Sequence, residues 1–173
     1  TLPGTDLNVS KICLGTMTFG EDWGFGASKE ESRKQFDLFA AAGGNFIDTA
    51  NVYTKGTSER FVGEFVKSDR DKFVVATKYS IATRFDDINA WGNSRKNLVH
   101  SVDASLSRLG LDRIDLYWVH VADHITPADE LMRALDDVVR AGKVVYVGVS
   151  DTPAWQVAQA NTLAELRGWS RFV

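Results

Sequence analysis

The chain has 173 residues, 44% of them hydrophobic and 25% charged, with a formal net charge of −3, which suits one globular domain or part of one. That mild acidity gives no sign of a nucleic-acid or anionic-membrane partner, so neither is expected, and no apolar run approaches the ~20 residues of a membrane span. Cys13 is the only cysteine, so no internal disulfide can form; with no basic n-region and apolar stretch at the N-terminus, a cytoplasmic setting is expected.

Short apolar runs alternate with amphipathic stretches along the chain, the pattern of successive βα units. Lys11–Leu14 reads as the first strand, closed by Gly15. Ser28 opens a helix as a capping box with Glu31, with Phe36 and Phe39 on one face, and Gly43-Gly44 stops it. Asn45–Asp48 is the second strand, and a helix follows from about Ser58 with Phe61, Val62, Phe65 and Val66 at helical spacing. Lys72–Lys78 is a third strand whose near-continuous apolar run suits burial on both faces. A long aperiodic loop, Tyr79–Asn93, carries Arg84, Phe85 and Trp91, and loops of that length are usually functional.

The spacing then predicts a helix from Ser94 to Leu109, ended by Gly110, and a fourth strand, Arg113–His120. Thr126-Pro127 reads as an N-cap followed by proline at the first helical position, opening a helix that ends at Gly142. Lys143–Val149 is the fifth strand. Thr152-Pro153 repeats the helix start, with a helix to about Arg167, and Arg171–Val173 opens a sixth strand. Units of roughly 25–35 residues fit a (β/α)8 TIM barrel. A doubly wound sheet would alternate in the same way, but its G-x-G-x-x-G turn is absent; Gly24-Phe25-Gly26 is the nearest approach.

Four residues fall at the C-terminal ends of consecutive strands, the rim on which such barrels build active sites: Asp48, Tyr53 five residues on, Lys78 and His120. Singly, each has an ordinary reading: a turn residue, a loop tyrosine, a solvated strand end, a rim histidine. Together they suggest carbonyl chemistry. A tyrosine hydroxyl releases its proton reluctantly, and a nearby ammonium stabilises the phenolate. An aspartate fixes the lysine and keeps it charged, and a histidine across the site can orient the substrate oxygen or share in the proton transfer. A purely structural Asp48–Lys78 ion pair is the competing reading. No metal-ligand spacing is present. Trp23, Phe25, Phe85 and Trp91 are loop aromatics that either line an apolar pocket or anchor their loops.

Several blocks also resemble the aldo-keto reductases. NFIDTANVY (Asn45–Tyr53) running into KGTSERFVG (Lys55–Gly63) is similar to that family's signature. LGTMTFG (Leu14–Gly20), VATK (Val75–Lys78), LGLDRIDLYWVH (Leu109–His120) and KVVYVGVSD (Lys143–Asp151) resemble its other blocks in the same order. The resemblance implies reversible reduction of a small-molecule aldehyde or ketone by hydride from a reduced nicotinamide, usually NADP(H). It makes Tyr53 the general acid, Lys78 the group that eases its proton off, Asp48 the partner of Lys78, and His120 the orienting residue. It places Thr16, Met17 and Asp48 near the cofactor, with Ser150 and Asp151 on the nicotinamide carboxamide; asparagine is the commoner residue at the position of Asp151. It further implies that residues 1–173 are the N-terminal part of one barrel, about five βα units and the start of strand six. The strands and loops carrying the rest of the cofactor grip would then lie beyond Val173. The alternative is a non-catalytic or regulatory half-barrel, resembling a beta subunit, that binds a partner or nucleotide without turnover. Self-association would cover its exposed parallel edges.

Overall fold

The computed structural model describes residues 1–173. Five parallel strands pair in the order of the sequence: β1 (Leu14–Gly15), β2 (Phe46–Asp48), β3 (Val74–Tyr79), β4 (Ile114–Val119) and β5 (Val144–Val149). Each is followed by a helix: α1 (Lys29–Ala41), α2 (Thr57–Val66), α3 (Arg95–Leu109), α4 (Ala128–Arg140) and α5 (Ala154–Arg167). A doubly wound sheet reverses its strand order at a switch point, and this sheet does not. It is an α/β fold of five consecutive βα units, consistent with part of a (β/α)8 barrel. Phe172 bridges Val147, and the Val173 N–H donates to the Val147 carbonyl at 3.0 Å, so a further strand begins beside β5. No helix is long and apolar enough to cross a membrane.

Register decides which side chains meet. Asp48 pairs with Ala76, Ala76 with Leu116, Lys78 with Trp118, and Trp118 with Gly148. Side chains alternate along a strand, so these residues share one face of the sheet. The opposite face carries Ile47, Val75, Tyr117 and Val147, which join Phe36, Val62, Leu98, Leu135 and Ala160 in the core between sheet and helices. Two glycines are set by close approach. A Cβ at Gly148 would lie 2.5 Å from the Trp118 ring, and one at Gly63 would lie 1.8 Å from the Leu109 carbonyl oxygen, where α2 crosses the end of α3.

Several boundaries differ from the sequence-based expectation. The first strand is Leu14–Gly15 rather than Lys11–Leu14. The preceding residues are held by side chains instead of a ladder: the Ser10 N–H donates to Asn45 Oδ1 at 2.6 Å, and Asn45 Nδ2 donates to the Asn8 carbonyl at 3.1 Å. The fourth strand ends at Val119, one residue before His120. Pro127 and Pro153 are the N-caps of α4 and α5, with extended ψ of 142° and 135°, so Thr126 and Thr152 lie one position outside. Other acceptors hold their hydroxyls: Thr126 Oγ1 donates to Asp123 Oδ2 at 2.6 Å, and Thr152 Oγ1 to the Ser150 carbonyl at 2.8 Å. Ser28 does cap α1, accepting from the Glu31 N–H at 3.2 Å, as Ser94 caps α3.

Candidate active site

The four rim residues converge. Lys78, 8% exposed at the end of β3, makes an ion pair with Asp48 from the end of β2. Its ammonium also donates to the Thr49 carbonyl at 2.8 Å and to Tyr53 Oη at 3.2 Å, and stands 4.7 Å from the Tyr53 ring centre. The three donors of an ammonium thus meet three oxygens. His120, just beyond β4, sets its ring edge-on to Tyr53 with centroids 5.9 Å apart. Trp23 packs edge-on to the same tyrosine at 6.5 Å and carries Phe25 at 5.9 Å.

Local folding explains why these side chains are held. Tyr53 opens a short turn, Tyr53–Gly56, whose residues Thr54 and Lys55 are left-handed. Behind it, Ser58 Oγ donates to the Thr16 carbonyl at 2.7 Å and is shared with the hydroxyls of Thr16 and Thr49, each at 2.8 Å. The Thr16 N–H donates to the Asp48 carbonyl at 2.9 Å, which ties β1 to the strand end that bears Asp48. The backbone of His120 is fixed in turn by Ser80. This buried residue has φ 99°, and its Oγ accepts from the His120 N–H at 3.2 Å and donates to Asn93 Oδ1 at 2.6 Å.

The other residues singled out in the sequence lie around this centre. Thr16 is fully buried, its hydroxyl engaged with Asp48 and Ser58. Met17 is about half exposed. Ser150 follows β5, its N–H donating to the Val119 carbonyl at 2.9 Å. Asp151 is exposed and left-handed at φ 40°, and its carbonyl accepts from the Ala122 N–H at 3.2 Å. Among the loop aromatics, Trp23 reaches Tyr53 and Phe25 packs against Trp23, whereas Phe85 is 97% exposed and makes no ring contact with the four. A cleft of about 130 Å³ with a mixed lining that includes Val119, Asp123, His124, Leu131, Gln156 and Phe172 contains none of the four. Thr49, Thr54, Ser58 and Ser80 were not foreseen as supports. Their roles rest on backbone carbonyls and positive φ angles, which leave no mark in residue type.

The electrostatics set the protonation states. Burial pushes the Asp48 carboxyl above the usual carboxylate range, and Lys78 opposes it by charge and hydrogen bond. Burial also pushes the Cys13 thiol up to about 12, with Asp48 adding to the rise, so the only cysteine stays a protonated and unreactive thiol. His120 is lowered from 6.5 to about 4, first by burial and then by Lys78, with Asp151 acting against them. It is therefore neutral at physiological pH. Its Nδ1 is buried without a partner, which leaves Nε2 as the nitrogen that can meet a substrate oxygen.

The sign of the linkage follows. Between about 4 and 6.5 the unfolded chain binds the proton that folded His120 refuses. The contribution of neutral His120 to stability is complete above that window and is lost as pH falls through it. An NMR titration of the imidazole signals should place the His120 midpoint near 4; a midpoint at or above 6.5 would refute the burial argument.

Comparison with known proteins gives the geometry its context. A family model described as the Aldo/keto reductase family matches residues 11–172. An aryl-alcohol dehydrogenase [NADP(+)] of Phanerodontia chrysosporium is 46% identical over 185 residues, covering 99% of this chain and 48% of the relative. Norsolorinic acid reductase B of Dothistroma septosporum is 46% identical over 181 residues, covering 99% and 46%. Norsolorinic acid reductase stcV of Emericella nidulans is 44% identical over 180 residues, covering 98% and 46%. The chain spans about half the length of the curated relatives it matches.

Proposed function

The chain belongs to the aldo/keto reductase family, and from that premise we propose that it is the proton-transfer part of an NADPH-dependent reductase of aldehydes or ketones, with Tyr53 as proton donor. The observation that carries the reading is the Lys78 ammonium, 3.2 Å from Tyr53 Oη and paired with Asp48. Residues 1–173 are read as the N-terminal portion of a single barrel, in a cytoplasmic enzyme with a small-molecule substrate.

Tyr53 gives its hydroxyl proton to the carbonyl oxygen of the substrate. The negative charge left on Oη is held by Lys78, which is already in place and needs no reorganisation as the charge develops. Asp48 and the Thr49 carbonyl aim the ammonium. Neutral His120 presents Nε2 to the same carbonyl oxygen and fixes its direction. A reduced nicotinamide, when bound, supplies the hydride to the carbonyl carbon. The residues present suit such a ring: Met17 is partly open, and Ser150 and Asp151 follow the end of β5. An ionised Asp151 accepts from a carboxamide NH2, as the asparagine more usual at that position also can. In this reading Thr16 backs Asp48 from behind, since its hydroxyl is already engaged.

The name of the aryl-alcohol dehydrogenase relative and the Trp23 ring edge-on to Tyr53 both favour an aryl aldehyde as substrate. Steady consumption of NADPH with an aryl aldehyde is the expected result in the intact protein. Stoichiometric NADPH binding with negligible turnover across aldehydes and ketones would overturn the reading in favour of a nucleotide-binding regulatory subunit.

A further inference from the structure

Tyr53 is followed by two left-handed residues, Thr54 at φ 44° and ψ 45° and Lys55 at φ 54° and ψ 34°. A β-branched side chain is rare in that region, because its Cβ substituents crowd the backbone. Glycine or asparagine would adopt the turn more readily. Strain of this kind persists where the surroundings over-determine it, and here the surroundings are specific. The Thr54 side chain is fully buried. Its Oγ1 donates to the Phe19 carbonyl at 2.6 Å and accepts from the Ser58 N–H at 3.1 Å. The turn that begins at Tyr53 is therefore pinned on one side to the loop after β1 and on the other to the first turn of α2. Gly20 leaves the room for this: a Cβ there would lie 3.0 Å from Thr54 Oγ1 and 2.8 Å from the Thr57 methyl.

Tyr53 itself has no comparable hold. Its ring is half-buried, with Trp23 and His120 edge-on and Lys78 over the face. Its hydroxyl meets Lys78 alone among the side chains. The direction of the tyrosine is set by the backbone that leaves it, and that backbone is fixed through Thr54. We infer that Thr54 is the positioning residue of Tyr53: its buried hydroxyl locks a strained left-handed turn to the Phe19 carbonyl and so holds the phenol against Lys78 and His120. The catalytic consequence rests on Tyr53 being the proton donor; the positioning does not.

Two substitutions in the intact protein separate the hydroxyl from the shape. Thr54→Val keeps the branched outline and loses both hydrogen bonds, whereas Thr54→Ser keeps the hydroxyl. In Thr54→Val the nuclear Overhauser contact between the Tyr53 and His120 rings should disappear. Its kcat should fall about 10- to 100-fold, the scale of a small misplacement of a reacting group, with little change in the KM for NADPH. Thr54→Ser should restore both readouts. Should Thr54→Val fail to fold, Thr54→Gly relieves the strain while still lacking the hydroxyl, and carries the same expectation. A Thr54→Val or Thr54→Gly protein with a lowered Tm but an unchanged ring contact and kcat would overturn the inference, leaving Thr54 a support of the fold only. If Tyr53→Phe turns over like the parent, the proton-donor reading fails, and the ring contact alone then decides the role of Thr54.

Discussion

If Tyr53 is the proton donor proposed above, replacing it by phenylalanine in the intact protein should lower kcat for carbonyl reduction by about 10²–10⁴-fold, the range a positioned general acid contributes. The substitution removes one oxygen and keeps the ring. The edge-on packing with Trp23 and His120 therefore remains, as does the Lys78 ammonium over the ring face. Lys78 loses one acceptor but retains Asp48 and the Thr49 carbonyl, so no charge is left buried and unpaired and the fold should not suffer. The loss should accordingly appear in kcat and kcat/KM together, with NADPH binding little changed, the signature of an interaction made in the transition state. Steady-state rates with an aryl aldehyde, set beside NADPH titration of both proteins, make the measurement. Undiminished turnover would remove Tyr53 from the chemistry and return the Asp48–Lys78 pair to a structural role.

Much of the frame behind that prediction was legible in the sequence because it depends on burial. The run Lys72–Lys78 reads as a strand since its apolar part is buried throughout. β3 itself starts two residues later, at Val74, because the exposed Lys72 ends a preceding turn, and it runs one residue further, to Tyr79. The placing of Asp48, Lys78 and His120 at strand ends follows from the alternation of strands and helices. Where side chains compete for backbone, residue type is a poorer guide. Thr126 and Thr152 have the residue type of N-caps, yet their hydroxyls are drawn to Asp123 and to the Ser150 carbonyl, and each helix begins one residue later behind its proline. The first strand begins later than its apolar run suggests because Ser10 and Asn45 replace a ladder with side-chain hydrogen bonds. Phe85, open in the sequence to either pocket lining or loop anchoring, lies in solvent, because hydrophobicity alone does not fix where a loop side chain points. The left-handed turn at Thr54 and the clamp at Ser80 left no trace, since neither residue is a type that favours positive φ.

The largest loss of stability is expected at Glu59. This carboxylate, in the first turn of α2, is 0% exposed. Its Oε1 accepts from Thr77 Oγ1 at 2.7 Å and its Oε2 from Arg108 Nε at 2.5 Å. One side chain thus joins β3, at the residue before Lys78, to α2 and α3. Glu59→Ala removes the acceptor of both groups and leaves the mostly buried Arg108 guanidinium without its counter-ion. Breaking a buried pair in this way costs about 3–5 kcal/mol, whereas exchanging both partners for apolar residues of similar volume is often close to neutral. Glu59→Ala should therefore unfold at much lower urea than the parent, and Glu59→Gln, which keeps an acceptor oxygen, should lose less. The double variant Glu59→Leu/Arg108→Met should recover much of the loss. Urea unfolding of the four proteins decides the matter. A loss below about 1 kcal/mol for Glu59→Ala, the scale of a surface pair, would show that solvent reaches Arg108 and that the burial of Glu59 does not couple α2 to α3. If the double variant is as unstable as Glu59→Ala, the pair is needed for its own hydrogen bonds, and the strand end that presents Lys78 depends on a charge rather than on packing.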